Sequence, residues 1–261
     1  MERKPTTLNM EEIPEEFRPL LKSARIYDSS CSKTARVIFI DKEQGYYLKF
    51  AAKDELRREA ELTRFFHSKD LAAEVLSYRS EEQDWLLTAR VPGEDCTFGQ
   101  YLEEPKRLCD VLAEQLLRLH SLDFSDCPVN DRISEYIKTA EENYHSGQYD
   151  KSQFPDGFGY ASAEEAWKTA NESRHLLKRD TLIHGDYCLP NIMLNDWKFS
   201  GFIDLGNGGV GDRHIDLFWG AWSLAFNLKT DKYIDRFFDA YGRGNMDTQM
   251  LRIVAAYEVF G

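Results

Sequence analysis

The strongest constraint on how this chain folds is the order of its apolar patterns, which change character near residue 91. Before that point apolar residues gather in four strand-like runs: Ala35 to Ile40, Tyr46 to Ala51, Glu74 to Tyr78 and Trp85 to Val91. The first two are separated by Asp-Lys-Glu-Gln-Gly, a hairpin-turn composition. One helix-like segment interrupts the runs, Glu55 to His67, with Leu56, Leu62, Phe65 and Phe66 on one face. The spacing of Ile13, Phe17, Leu20 and Leu21 predicts a shorter helix over 11–22. Val91-Pro92-Gly93 then punctuates the chain. Beyond it, helices are predicted over Lys106 to Leu122, Asp131 to His145 and Ala163 to Lys178, with a Gly/Pro-rich loop over Gly147 to Gly159. A strand-rich island follows (Thr181 to His184, Ile192 to Leu194, Phe199 to Ile203). Three helices run from Ile215 onward, broken near Thr230 and Gly242–Gly244. The expected class is α+β. A small antiparallel β lobe with one helix spans 1–91, and a larger, mainly helical lobe spans 92–261.

With 42% apolar and 13% aromatic residues in 261, the chain can build a substantial core, which excludes a disordered protein. Acids outnumber bases 45 to 33, and the net charge of -12 disfavours a general nucleic-acid binder while suiting a cationic partner. Five cysteines, odd in number and without Cys-x-x-Cys spacing, argue against a disulfide framework or a structural zinc. The start lacks the apolar core of a signal peptide, and the greasiest stretch, Leu217 to Phe226, is far shorter than a membrane span. The expectation is a reduced, cytoplasmic protein with neither nucleic acid nor membrane as partner.

Chemistry concentrates in His184-Gly185-Asp186-Tyr187-Cys188-Leu189-Pro190-Asn191. The Asp with Asn five positions later and His two before has the spacing of a protein-kinase catalytic loop, with Gly185 in place of Arg. Thirteen residues after Asn191 comes Asp204-Leu205-Gly206, where a kinase carries Asp-Phe-Gly. Phosphoryl transfer from ATP needs hard oxygen ligands for Mg²⁺, which the Asp204 carboxylate and the Asn191 amide oxygen can supply. Asp186 would stand near the attacking hydroxyl. Gly206 is expected to let the backbone turn sharply after Asp204. Gly206 to Gly211 also matches Gly-x-Gly-x-x-Gly, but a dinucleotide fold needs further strands, and only helical sequence follows. There is no P-loop motif.

These stretches together resemble the aminoglycoside phosphotransferases, most closely the 3'-phosphotransferase group. Tyr47-Leu48-Lys49, Val91-Pro92-Gly93, Leu117 to His120, Cys188 to Met193 and Ser200 to Asp204 carry the likeness, which runs from about residue 30 onward. The resemblance implies a two-lobed, protein-kinase-like fold and an ATP-dependent kinase, with GTP the alternative donor and Mg²⁺ the metal. It assigns Lys49 to the nucleotide phosphates, Glu59 as its ion-pair partner, and Ser32 to the terminal phosphates. It sets Tyr47 and Ile203 on the two faces of the adenine, with the backbone of Ala89 and Val91 at the base edge. Asp216 would buttress the catalytic loop, and His184 would orient it.

The acceptor side departs from the family. Asn207 replaces an Arg, the helix Trp219 to Asn227 lacks the usual charges, and Tyr257 replaces the first acid of a terminal pair. Asp186, Glu258 and the Gly261 carboxylate are the candidate ligands for a small polycationic acceptor. Glu164 and Glu165 are further candidates, although adjacent glutamates at a helix start also serve the helix dipole. The leading reading is phosphorylation of an aminoglycoside hydroxyl, at the 3' position, conferring resistance, by a monomer or homodimer. The alternatives are the same chemistry on another antibiotic, choline or a sugar, and a non-catalytic kinase-like binding protein.

Overall fold

The computed structural model describes residues 3–31, 34–149 and 158–261. Its elements begin β1 (Lys4–Pro5), α1 (Arg18–Leu21), β2 (Arg25–Asp28), β3 (Ala35–Asp41), β4 (Tyr46–Ala52), α2 (Arg57–Ser68), β5 (Val75–Ser80), β6 (Gln83–Ala89) and β7 (Glu94–Asp95). Helices α3 (Gly99–Leu102), α4 (Pro105–His120), α5 (Arg132–Ser146) and α6 (Ala163–Ser173) follow. Next come β8 (Thr181–Ile183), β9 (Ile192–Asn195), β10 (Lys198–Phe202) and β11 (Gly209–Gly211), then α7 (Arg213–Leu228), α8 (Ile234–Tyr241) and α9 (Thr248–Glu258). They form two compact units, Met1–Asp95 with Ile192–Gly206, and Cys96–Asn191 with Asn207–Gly261. The break falls at Asp95–Cys96 rather than after Val91, because Glu94 and Asp95 still pair with Leu194 and Met193 of β9.

In the first unit six strands lie in the order β1-β2-β3-β4-β6-β5, every neighbour antiparallel. Residues directly opposite in such a sheet share a face. The register aligns Val37 with Lys49 and Leu86, and Phe39 with Tyr47 and Thr88, so these side chains emerge together. The other face buries Ile38, Ile40, Tyr46, Leu48 and Leu87 against Ile13, Phe17 and Leu21. The helix predicted over 11–22 shrinks to α1. Pro14 disfavours helical backbone at Ile13, and Pro19 is tolerated only in the first turn. Ile13, Phe17 and Leu21 bury all the same, with Leu20 partly covered. Strands β1 and β2, absent from the sequence reading, extend the sheet edge with two and four residues.

In the second unit, the stripe Leu108, Leu112, Leu116 and Leu119 of α4 is fully buried. Three helix starts carry an aspartate whose side chain accepts a backbone amide: Asp131 for α5, Asp212 for α7 and Asp247 for α9. Helix α6 stops at Ser173 instead of Lys178, tightening into a 3-10 turn over Arg174–Leu176. Strand β11 pairs antiparallel with β8, Gly209 opposite Ile183. Of the three glycines of the dinucleotide match, Gly206 sits in a 3-10 turn over Leu205–Asn207 and Gly211 in this strand, so no strand–turn–helix phosphate site forms there. Among the described residues, no helix is long and apolar enough to cross a membrane.

Candidate active site

The face of the first sheet that carries Lys49 opens into a pocket of about 860 Å³, mouth included. Its walls include Val37, Tyr47, Lys49 and Leu86 from the strands, Glu59 and Thr63 from α2, and Phe202, Ile203 and Asp204 from the end of β10. Two anchors bring these walls together. The buried Asp84 carboxylate accepts the Leu56 amide at 2.9 Å and the Tyr78 hydroxyl at 3.0 Å, fixing the start of α2 and with it Glu59. The Phe202 amide donates to the Leu71 carbonyl at 2.7 Å, delivering Asp204 beyond it.

Lys49 then stands between two carboxylates, 2.7 Å from Glu59 and 3.0 Å from Asp204. Burial opposes its charge, yet the Glu59 and Asp204 carboxylates outweigh burial and raise the ammonium's pKa. For Glu59, burial wins over the attraction of Lys49 and pushes the carboxyl up. Asp204 is the exposed member, with 54% of its side chain accessible. Its φ of +58° is costly for a residue with a Cβ, a strain that commonly marks a functional site. The sharp turn therefore sits at Asp204, and not at Gly206 as the sequence suggested. Gly206 has no left-handed φ, and a Cβ there would lie at an ordinary 3.7 Å from the Glu59 side chain.

In the second unit the catalytic-type loop hangs on one buried aspartate. Asp216 of α7 accepts the His184 amide at 2.8 Å and the Gly185 amide at 2.7 Å. Behind it, His120 Nε2 lies 3.1 Å from Asp216, and His120 Nδ1 lies 2.8 Å from the Tyr241 hydroxyl. Burial lowers the His120 pKa, so the ring is neutral, donating from Nε2 and accepting at Nδ1. Gly185, at φ +81°, explains the missing Arg. A Cβ there would meet the Asn207 carbonyl oxygen at 1.9 Å. Past the turn, Asn191 Nδ2 donates to the Asp186 carboxylate at 2.8 Å and to its carbonyl at 3.0 Å, so the side-chain NH2 is engaged and the amide oxygen is the atom able to coordinate. The Asp186 amide donates to His184 Nδ1 at 3.3 Å. Burial beside Asp186 pushes the Cys188 thiol up, so it is no nucleophile.

Asp186 also lines a second pocket of about 980 Å³, mouth included, with Arg132 and Tyr136 of α5, Trp219 of α7, and Tyr257, Glu258 and Gly261 at the end of the chain. Tyr136 donates to Glu258 at 2.8 Å. Enclosure pushes the Glu258 carboxyl up to about 7, against the hydrogen bonds of Tyr136 and Trp219, while the Asp186 charge adds to the rise.

Of the residues singled out in the sequence, Tyr47, Lys49, Glu59, Ile203 and Asp204 meet in the first pocket, and Asp186, Glu258 and Gly261 in the second. Ala89 donates its amide to the Glu74 carbonyl at 3.0 Å, so its carbonyl is the group left for a base edge. The Val91 side chain is buried. Ser32 lies outside the described residues. Glu164 and Glu165 begin α6 and line neither pocket. Glu165 instead accepts the Ala161 amide at 3.0 Å while its own amide donates to Ser162 at 3.2 Å, a reciprocal helix cap. Trp222 stacks on Phe226, centroids 5.0 Å apart, whereas Trp219 faces the pocket. Arg132 and Tyr136 had no sequence signal beyond helical periodicity.

Comparison with known proteins completes the picture. The model of the phosphotransferase enzyme family matches residues 32–253. A probable aminoglycoside 3'-phosphotransferase of Lactococcus lactis is 51% identical over 255 residues, 97% of each chain. Among solved structures, an aminoglycoside-3'-phosphotransferase of type VIII superposes with a TM-score of 0.76 at 22% identity, over 95% of this chain and 100% of that one. An aminoglycoside phosphotransferase of Streptomyces rimosus, in complex with ADP and streptomycin, gives 0.73 at 21% identity, over 86% and 90%. The fold is the two-lobed, protein-kinase-like α+β fold, and the chain belongs to the phosphotransferase enzyme family, among the aminoglycoside 3'-phosphotransferases.

Proposed function

We propose that this kinase transfers the terminal phosphoryl group of ATP to the 3'-hydroxyl of an aminoglycoside antibiotic, with Asp186 as its catalytic carboxylate. The observation that carries the reading is the second pocket, where Asp186 shares a wall with Glu258 and so joins the hydroxyl-directed group to a receptor for ammonium. In the first pocket, Tyr47 and Ile203 suit the two faces of the adenine, and the Ala89 carbonyl and Val91 amide its edge. Lys49, pre-organised by Glu59, neutralises the phosphates.

The donor set of Asp204 and Asn191, one carboxylate and one amide oxygen, fits Mg²⁺, which is commonly held by few protein ligands plus substrate phosphates. When bound, Mg²⁺ supplies neutralisation of charge on the transferring and leaving oxygens. Asn191 holds the Asp186 carboxylate at 2.8 Å, so Asp186 can accept the acceptor hydroxyl's hydrogen bond and orient its oxygen. The transition state is loose, so orientation contributes more than early proton removal, and the proton passes to Asp186 as the new bond forms. Glu258 receives an ammonium group of the acceptor, beside Gly261 on the same wall. Lys49, Asp186, Asn191 and Asp204 are all retained, which favours catalysis over a binding-only role.

The test is a panel of aminoglycosides, choline and free sugars with radiolabelled ATP, and GTP in a parallel arm. Label is expected on an aminoglycoside. In the Asp186→Asn variant kcat should fall roughly a hundred- to ten-thousand-fold, with Mg-ATP binding retained. Label on choline or a sugar alone would overturn the acceptor, and an Asp186→Asn variant with parental kcat would overturn the residue.

A further inference from the structure

A pocket that receives polycations carries one feature against type. Arg132 is on its wall, with only 13% of its side chain exposed. The guanidinium is not free to swing away. Its Nε donates to the Asn207 carbonyl at 3.1 Å, and its NH1 lies 3.3 Å from Glu135. Arg132 starts α5, capped by Asp131, and the same helix carries Tyr136, which holds Glu258. The pocket thus sets the carboxylates of Asp186 and Glu258 beside a fixed cation at the start of α5, whose charge also acts on Glu258.

We propose that Arg132 is a specificity-determining residue of the acceptor pocket, selecting acceptors that present a hydroxyl rather than an ammonium group to the wall formed by α5. The inference rests on the acceptor reading above and deepens it. A guanidinium donates hydrogen bonds and accepts none, so it can donate to a hydroxyl oxygen but cannot pair with an ammonium. Like charges brought together in a partly desolvated site reject a partner more strongly than a lost contact does, and discrimination often uses such repulsion. Glu135 tempers the effect, since its half-exposed carboxylate lies 3.3 Å from the same guanidinium.

Acceptors differing by one such group make the test. Kanamycin A and B differ in a hydroxyl or amine at one position of the ring that is phosphorylated, and paromomycin and neomycin differ likewise at another. For at least one pair, kcat/KM of the parent enzyme should favour the hydroxyl member by about ten-fold or more. Arg132→Gln should shrink that preference to within about two-fold by improving the amine member. Arg132→Lys, which keeps the charge, should retain it, and KM for ATP should stay unchanged in both variants.

Equal treatment of both members of both pairs by the parent would overturn the proposal. So would an equal loss on both members in Arg132→Gln, which would mark Arg132 as a strut for the Asn207 carbonyl and nothing more. A parent enzyme that phosphorylates none of the four drugs overturns the acceptor reading itself, and this inference with it. Thermal melting of each variant separates a folding defect from a change in selectivity.

Discussion

Glu258, the proposed ammonium ligand, is a residue whose ionised form comes at a cost to the fold. Its carboxyl titrates at about 7 in the folded chain against an ordinary 4.5. An acid with a raised folded pKa binds its proton more tightly when folded, so the stability it contributes is full below about 4.5 and is lost as pH rises through about 7. Ammonium binding needs the opposite, ionised form. KM for an aminoglycoside should therefore fall as pH rises from 6 to 8, beyond any change from the drug's own amines, and Glu258→Gln should remove that part of the profile. The same variant should melt higher than the parent at pH 8, with a smaller difference at pH 5.5. Steady-state kinetics and thermal melts across that range check both arms. A Glu258→Gln profile parallel to the parent's would show that this carboxylate does not meet the drug.

At the scale of elements, the loop from His184 to Asn191 is positioned by helices distant from it in sequence. Asp216 is fully buried and accepts two loop amides, and His120 and Tyr241 brace it from α4 and α8. Asp216→Ala leaves both amides without their acceptor, at a cost of about 3 kcal/mol of stability by urea denaturation. Two glycines give a sharper contrast. Gly185→Ala must take a left-handed φ and meet a backbone oxygen, so it should lose about 2 kcal/mol or more together with activity. Gly206→Ala meets only ordinary contacts and should stay within about 0.5 kcal/mol of the parent. Equal losses at the two positions would contradict the placement of the sharp turn at Asp204. The loop motif itself was legible because its spacing is local. The helices that hold it were legible as helices but not as its supports, since amphipathic periodicity reports which face is buried and not what it is buried against.

For the whole molecule, the net charge of -12 acts on a polycation before any contact forms. Long-range attraction between exposed charges is screened within about 8 Å at physiological ionic strength. KM for the drug should therefore rise several-fold between about 0.05 and 0.5 M salt, while KM for anionic ATP stays flat or falls. Kinetics in a series of sodium chloride concentrations measure it. A drug KM indifferent to salt would leave recognition to the close contacts of Glu258 and Asp186 alone.

The sequence by itself determined the fold class, the order of strand-rich and helical segments, and the candidate groups Asp186, Asn191 and Asp204. Each of these follows from a local rule: strand runs bounded by turns, helical spacing of leucines, or a carboxylate and an amide at a set interval. Tertiary structure decided which residues meet across long stretches of chain. Tyr136 reaches Glu258 from 122 positions away, and His120 reaches Asp216 from 96. It also sent Glu165 to cap its own helix rather than to a pocket, and placed a guanidinium of α5 on the wall of the second pocket although position 207 is Asn. Nothing local separates these outcomes. A glutamate at a helix start or an arginine in its first turn has the same neighbours in sequence whether it faces a ligand or solvent. Only the packing of one helix on another chooses between them.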